Sequence, residues 1–277
     1  MKKILVTTDF SSNSKAGLRF AIQLASLHPF ELTFFHSFYI MKPTSINDKE
    51  SKLYVKKETD KIQAQLENFV GEVYKIMKAK PGKFKCIINS SVLTDTNIRT
   101  YASKNKYNYI CICTRGAGRF KKIFGTNTSN LIQNSSVPVI TVPHNYRRNK
   151  ITHIMYATDT LNLEKELKKV VDFSKPFMAK VELLHFNYPA ELANKTQLIK
   201  QASSLFSKQQ ITMNLVEVNM AKNLVENIKA AVTKSKPSLL IMFTQQNKGF
   251  FDTLFFPSNS AEYSFDTKTP LLIYNKT

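Results

Sequence analysis

The sequence predicts an α/β protein of two similar domains, each a five-stranded, mainly parallel sheet flanked by helices. The first observation behind this is a repeat. Ile4-Leu-Val-Thr-Thr-Asp9 returns as Ile154-Met-Tyr-Ala-Thr-Asp159, and each aspartate leads into a helical stretch, an apolar strand and a histidine, His36 or His185. One single-residue gap keeps the copies in register, and the closing segments also agree, Ser136-Val-Pro-Val-Ile140 answering Lys268-Thr-Pro-Leu-Leu272. A period far longer than a solenoid repeat means that a whole domain was duplicated. The second observation is length: 277 residues suit two domains of about 100 to 200 residues each. The third is the alternation of short, continuously apolar runs with amphipathic stretches, the pattern of parallel strands covered by helices on both faces. The domains span residues 1–145 and 150–277, with Arg147-Arg148-Asn149-Lys150 as a short basic linker.

The elements follow in order. Ile4 to Thr8 is an apolar, β-branched run, and Asp9-Phe-Ser-Ser offers capping side chains to a helix carrying Ala16, Phe20, Leu24 and Leu27. Glu31 to Phe38 is a strand, and a polar segment with Pro43 leads to a long amphipathic helix from about Lys49 to Met77. Phe84 to Ile88 is a strand, Thr94 to Lys104 a helix, and Tyr109 to Cys113 a strand; after a loop, a helix ends near Asn134 and Val137 to Val142 closes the domain. The second domain repeats the scheme, with strands Thr152–Ala157, Val181–Phe186, Met213–Val218 and Leu239–Phe243. Helices are expected at Glu164–Phe177, Ala190–Ser207 and Ala221–Thr233, before a closing strand Leu271–Tyr274.

Composition narrows the function classes. The hydrophobic fraction of 43% is that of an ordinary globular chain, and no apolar stretch is long enough to cross a bilayer, which points to a cytoplasmic protein without membrane partners. Cys86, Cys111 and Cys113 are odd in number and strand-like in position, so they suit neither a zinc site nor a disulfide framework and read as buried reduced thiols. Forty basic against twenty acidic residues give a net charge of +20. The excess is spread over both halves without interleaved aromatics, which reads as a solvated basic surface more readily than as a nucleic-acid site, the latter staying open. His36 and His185 end apolar strands and read as structural histidines rather than acid–base groups.

One loop is the place for chemistry. Gly116, Gly118 and Gly125, three of only seven glycines, lie between a strand and a helix that starts Thr126-Asn-Thr128. Glycines let backbone approach a ligand, and free amides at a helix start attract anions. The spacing matches neither Gly-x-Gly-x-x-Gly nor a Walker loop, so phosphate binding and an ordinary glycine-rich turn both fit.

Thr-Asp-Phe-Ser after the first strand, His36-Ser37 ending the second, Thr-Arg-Gly after the fourth, Gly-Thr-Asn-Thr at the last helix and Val-Pro-Val in the closing strand together resemble the universal stress protein family. The chain is similar to a tandem member, and the resemblance implies two Rossmann-like domains of the adenine nucleotide alpha hydrolase kind. It further implies ATP, accompanied by Mg²⁺, at the carboxyl ends of the strands. Carried over residue by residue, Thr7, Thr8 and Asp9 lie beside the adenosine and the Ser37 backbone reads the adenine edge. Gly116, Gly125 and Thr126 face the phosphates, and Asn127 and Thr128 extend the helix-start cradle. Asp9 serves equally well as a helix cap. The family's loop reads glycine, two residues, glycine, nine residues, glycine and a hydroxyl; here Cys113 stands at the first glycine and eight residues, Ala117 to Phe124, separate the other two. In the second domain Gln246 and Pro257 replace Gly116 and Gly125, and Phe250, Phe251, Phe255 and Phe256 read as core or interface, or as a hydrophobic pocket. Asp159 then reads as structural.

The function expected is a stress-response regulatory or binding protein holding ATP in its first domain, with no catalysis. The alternative is an interaction module without nucleotide, acting on a protein partner through its basic or aromatic surface; a slow nucleotide hydrolase comes third. No His/Glu pair at metal-ligand spacing, nucleophile elbow or Walker lysine supports an enzyme. The family also implies that the two closing strands, 137–142 and 271–274, pair antiparallel so that the domains pair within the chain, with a homodimer as a further possibility.

Overall fold

The computed structural model describes residues 1–43, 45, 47–114, 126–187, 192–206, 210–244 and 268–276. The chain divides into two compact units, Met1–Thr114 with Thr126–His144, and a second from Asn145 onward.

The first unit runs β1 (Lys2–Thr7), α1 (Lys15–Leu27), β2 (Phe30–Phe38), α2 (Asp48–Met77), β3 (Phe84–Ser90), α3 (Thr94–Lys104), β4 (Tyr109–Cys113), α4 (Thr126–Asn134) and β5 (Val139–Val142). Its strands order as β3-β2-β1-β4-β5, and every pairing is parallel. The central strands carry the core: Ile4, Leu5, Val6, Ile110 and Cys111 are fully buried, as are Leu18, Phe20 and Leu24 of α1. Gly17 shows how closely α1 lies on the sheet, since a Cβ there would come within 3.3 Å of the Cys113 amide nitrogen. The thiols behave as small apolar groups. Burial raises Cys86 to about 11 and Cys113 to about 12, and pushes the fully buried Cys111 higher still. All three are free thiols, with Cys86 and Cys113 partly accessible.

The second unit repeats the plan with β6 (His153–Thr158), α5 (Leu163–Ser174), β7 (Lys180–Asn187), α6 (Leu192–Ser204), β8 (Ile211–Glu217), α7 (Leu224–Ser235), β9 (Leu239–Thr244) and β10 (Leu271–Asn275). Its order, β8-β7-β6-β9-β10, matches the first unit strand for strand, again all parallel. Of the helix ends that differ from expectation, two have a clear local reason. α5 stops at Ser174 and continues as one 3-10 turn, Lys175–Phe177, because Pro176 has no amide for the α-ladder. α7 starts three residues later than Ala221 because Asn223 and Glu226 form a reciprocal capping box. No helix among the described residues is long and apolar enough to cross a membrane.

Candidate functional site

In a sheet of order 3-2-1-4-5 the connections leave β1 and β4 toward opposite faces, so a crevice opens beyond their carboxyl ends. Thr7, Thr8 and Asp9 sit at that end of β1. Thr7 and Thr8 are buried and occupied with structure: the Thr7 hydroxyl donates to the Cys111 carbonyl at 3.4 Å, and the Thr8 hydroxyl lies 2.8 Å from Ser14 Oγ. The Thr8 hydroxyl also accepts from the Phe10 amide at 3.1 Å, while His36 Nδ1 donates to the Thr8 carbonyl at 2.8 Å. These bonds hold Phe10 at a positive φ of 62°, with its ring 4.1 Å from the imidazole of His36. The chain therefore turns sharply after Thr8 and leaves Asp9 exposed to solvent.

Asp9 does not cap α1. Its Oδ1 accepts from the Ser11 amide at 3.0 Å and the Ser11 hydroxyl at 2.5 Å, closing a local turn. Partial burial works to raise its carboxyl, and the bonds from Ser11 outweigh that, so Asp9 is held below its ordinary value and ionised. His36 is governed by burial, which lowers it more than the Thr8 carbonyl and the Asp9 carboxylate raise it. The imidazole is thus a neutral clamp on the turn.

Ser37 owes its place to the ladder. The Phe35 carbonyl accepts from the Thr8 amide and the Phe38 carbonyl from the Ser91 amide, so alternate residues of β2 face β1 and β3 in turn. Ser37 falls on the β1 side, but β1 has ended at Thr7, opposite Phe35. Its backbone amide and carbonyl therefore face the space beside Asp9 and Phe10. Its side chain is fixed elsewhere, accepting from Asn97 Nδ2 at 2.7 Å. Asn97 also donates to the Asn89 carbonyl at 3.1 Å, tying α3 to the ends of β2 and β3.

The strand β4 ends toward the same crevice, and the start of α4 lies at the carboxyl end too. Thr126 and Asn127 are exposed at that helix start, whereas Thr128 is buried. Gly116 and Gly125 lie outside the described residues, as do Gln246, Pro257 and the phenylalanines from 250 to 256. Chemically, the described part offers an ionised carboxylate for hydroxyl donors, an adjacent donor and acceptor pair on one backbone edge, and the amides of a helix start. Ser11, Ser14 and Asn97, which position these groups, were not singled out from sequence. Ser11 was visible only as a capping candidate, Ser14 not at all, and Asn97 acts across sixty residues of chain.

The second unit keeps the turn and changes its contents. The Thr158 hydroxyl accepts from the Thr160 amide at 2.9 Å, His185 Nδ1 donates to the Thr158 carbonyl at 2.9 Å, and Thr160 has a φ of 69°. Asp159 Oδ1 accepts from the Leu161 amide at 3.1 Å. Here, however, the aspartate is paired with the ammonium of Lys276, and its side chain is 9% exposed. The structural role expected for Asp159 is thus an ion pair, with a partner that no local sequence pattern locates.

The family model described as the universal stress protein family matches residues 1–143. Over nearly its whole length the chain is similar in structure to a universal stress protein of Archaeoglobus fulgidus DSM 4304, with a TM-score of 0.73 and 13% identity, covering 99% of this chain and 98% of that one. A protein of Pseudomonas aeruginosa UCBPP-PA14, assigned to the universal stress proteins, aligns with a TM-score of 0.60 and 12% identity over 99% of this chain and 93% of that one. Identities this low show a shared fold, and the coverage extends that fold to the second unit. No curated protein matches the chain.

Proposed function

The chain belongs to the universal stress protein family, and we propose that it serves a stress response by binding an adenine nucleotide, ATP, in its first unit alone. The observation that carries the reading is the early end of β1. It leaves the Ser37 backbone edge beside an ionised, exposed Asp9 at the point where the sheet's connections diverge. The Ser37 amide and carbonyl suit the adenine edge, Asp9 suits the ribose hydroxyls, and the amides around Gly116, Gly125, Thr126, Asn127 and Thr128 suit the phosphates. No trio of His, Cys, Asp or Glu able to hold a metal ion gathers among the described residues, so Mg²⁺ would enter with the phosphates.

The role is binding rather than turnover. Hydrolysis needs a group to take the proton of an attacking water. Asp9 is assigned to the ribose, away from the phosphates. Phosphate release should not exceed that of an Asp9→Ala control; steady release that vanishes in that control would move the reading to a hydrolase.

The binding itself is tested by thermal stabilisation, since a ligand at a hundred times its Kd adds about 2.7 kcal/mol. ATP should raise the melting temperature of the wild type and of Asp159→Ala, and leave Asp9→Ala and Gly125→Pro unmoved. An equal rise in Gly125→Pro would remove the proposed phosphate cradle. A second reading, an interaction module for a protein partner, draws on the exposed Tyr39, Met41, Val92 and Leu93, which follow β2 and β3 at the same end of the sheet. It takes precedence if ATP fails to stabilise the wild type.

A further inference from the structure

Three positions of the second unit differ from their counterparts in the first, and their side chains gather. The repeat places Tyr156 where the first unit has Val6, and Glu166 lies on α5, which answers α1, a helix without an acidic residue. The ladders pair Val142 with Cys113 and Tyr274 with Phe243, which sets Lys276 at the position of the exposed His144. A valine has thus become a phenol and a solvent-facing histidine an ammonium, and a carboxylate stands on a helix whose counterpart has none.

These groups meet at the carboxyl ends of β6 and β10. The Lys276 ammonium contacts Asp159 Oδ2 and lies 3.7 Å from Glu166 Oε1. The Tyr156 hydroxyl donates to Glu166 Oε2 at 2.6 Å and lies 3.0 Å from the Thr158 hydroxyl. The side chains of Lys276 and Glu166 are each 4% exposed. Glu166 Oε1 accepts no hydrogen bond from the described residues and faces the ammonium alone. Backbone bonding fixes the lysine's origin, its amide donating to the Thr244 carbonyl at 2.7 Å.

We propose that the carboxyl-end site of the second unit is a cation site whose occupant is the chain's own Lys276 ammonium. Two buried carboxylates face one ammonium, so the site has an excess of acceptors and takes a compact cation with hydrogens to donate. A buried carboxylate stripped of its counter-ion is costly, which keeps the lysine seated. The same charge arrangement turns away phosphates. The inference concerns the second unit alone and does not require the first to bind nucleotide.

Chemical rescue tests it in the full chain. Lys276→Ala should melt several degrees below the wild type, and propylammonium chloride at tens of millimolar should restore at least half of that loss. Sodium chloride and tetramethylammonium chloride at equal ionic strength should not, the first being poorly matched and the second lacking donors. Adding Asp159→Asn to Lys276→Ala should abolish the rescue. Absent rescue, or equal rescue by tetramethylammonium, would reduce the cluster to ordinary packing. Should Lys276→Ala fail to fold, the intact protein still decides. A ¹⁵N-lysine spectrum must show one ammonium in slow exchange with water that disappears in Lys276→Met, and an all-fast spectrum overturns the proposal.

Discussion

Phe10 and Thr160 follow the two aspartates in left-handed backbone, at φ of 62° and 69°. A non-glycine residue there costs on the order of 1 kcal/mol and needs support from its surroundings. The support is the same in both units: a threonine hydroxyl takes the strained residue's amide, and a histidine ring takes the threonine's carbonyl. The histidines thus work as fixed donors, and for His36 that role has a pH signature. Burial sets its folded value below the ordinary one, so the unfolded chain binds the proton more readily. Stability from this residue is complete above about pH 6.5, the unfolded value, and is lost as pH falls through it toward the lower folded value. Urea midpoints of the wild type should drop between pH 7.5 and 5.5 by more than those of His36→Asn, whose amide keeps a donor for the Thr8 carbonyl. Parallel pH profiles for the two proteins would remove the neutral clamp.

Two helices open with the same capping box and should answer differently to losing it. In α2, Asn47 and Glu50 bond reciprocally, yet no residue before Leu66 is buried. In α7, Asn223 and Glu226 do the same, and the helix buries Val225, Ile228, Ala231 and Val232 from its first turn. Asn223→Ala should cost about 1 kcal/mol of global stability. Asn47→Ala should leave the melting temperature nearly unchanged while speeding amide exchange over residues 48–51, because that end opens locally. α1 shows a tighter constraint. A side chain at Gly17 would meet backbone of β4 at 3.3 Å. Gly17→Leu should destabilise by roughly 1 to 3 kcal/mol, the scale of an overpacked core, as measured by denaturant unfolding. The strands were legible in the sequence because a parallel sheet buries both faces of β1, β4, β6 and β9 and demands continuous apolar runs. Helix ends were legible only where their caps were read, so Pro176 and Asn223 each moved a boundary. In the site, Thr7, Thr8, Asp9 and Ser37 were reached through resemblance, and their backbone roles follow from where β1 stops, which no local pattern encodes. Lys276 was invisible as a partner of Asp159 because the two meet only through the registers of β9 with β6 and with β10.

At the level of the whole chain, duplication has produced two copies of one strand order whose crevices differ in charge. The first keeps Asp9 exposed, beside an α1 without acidic residues; the second balances Asp159 and Glu166 against Lys276, with all three side chains buried. The net charge of +20 draws anions to the surface generally, and salt screens such attraction between exposed groups. Weak, salt-sensitive phosphate contacts are therefore expected anywhere on the molecule, and the site-specific term is the one that survives screening. The consequence is a stoichiometry. Equilibrium dialysis of the intact chain against labelled ATP at physiological ionic strength should saturate at one nucleotide per chain, and that single site should vanish in Asp9→Ala. Phosphate ions should compete poorly, because they lack the adenosine contacts proposed for Ser37 and Asp9. Saturation at two per chain would mean that ATP displaces the Lys276 ammonium, contradicting both the closed second crevice and the division of labour between the two halves.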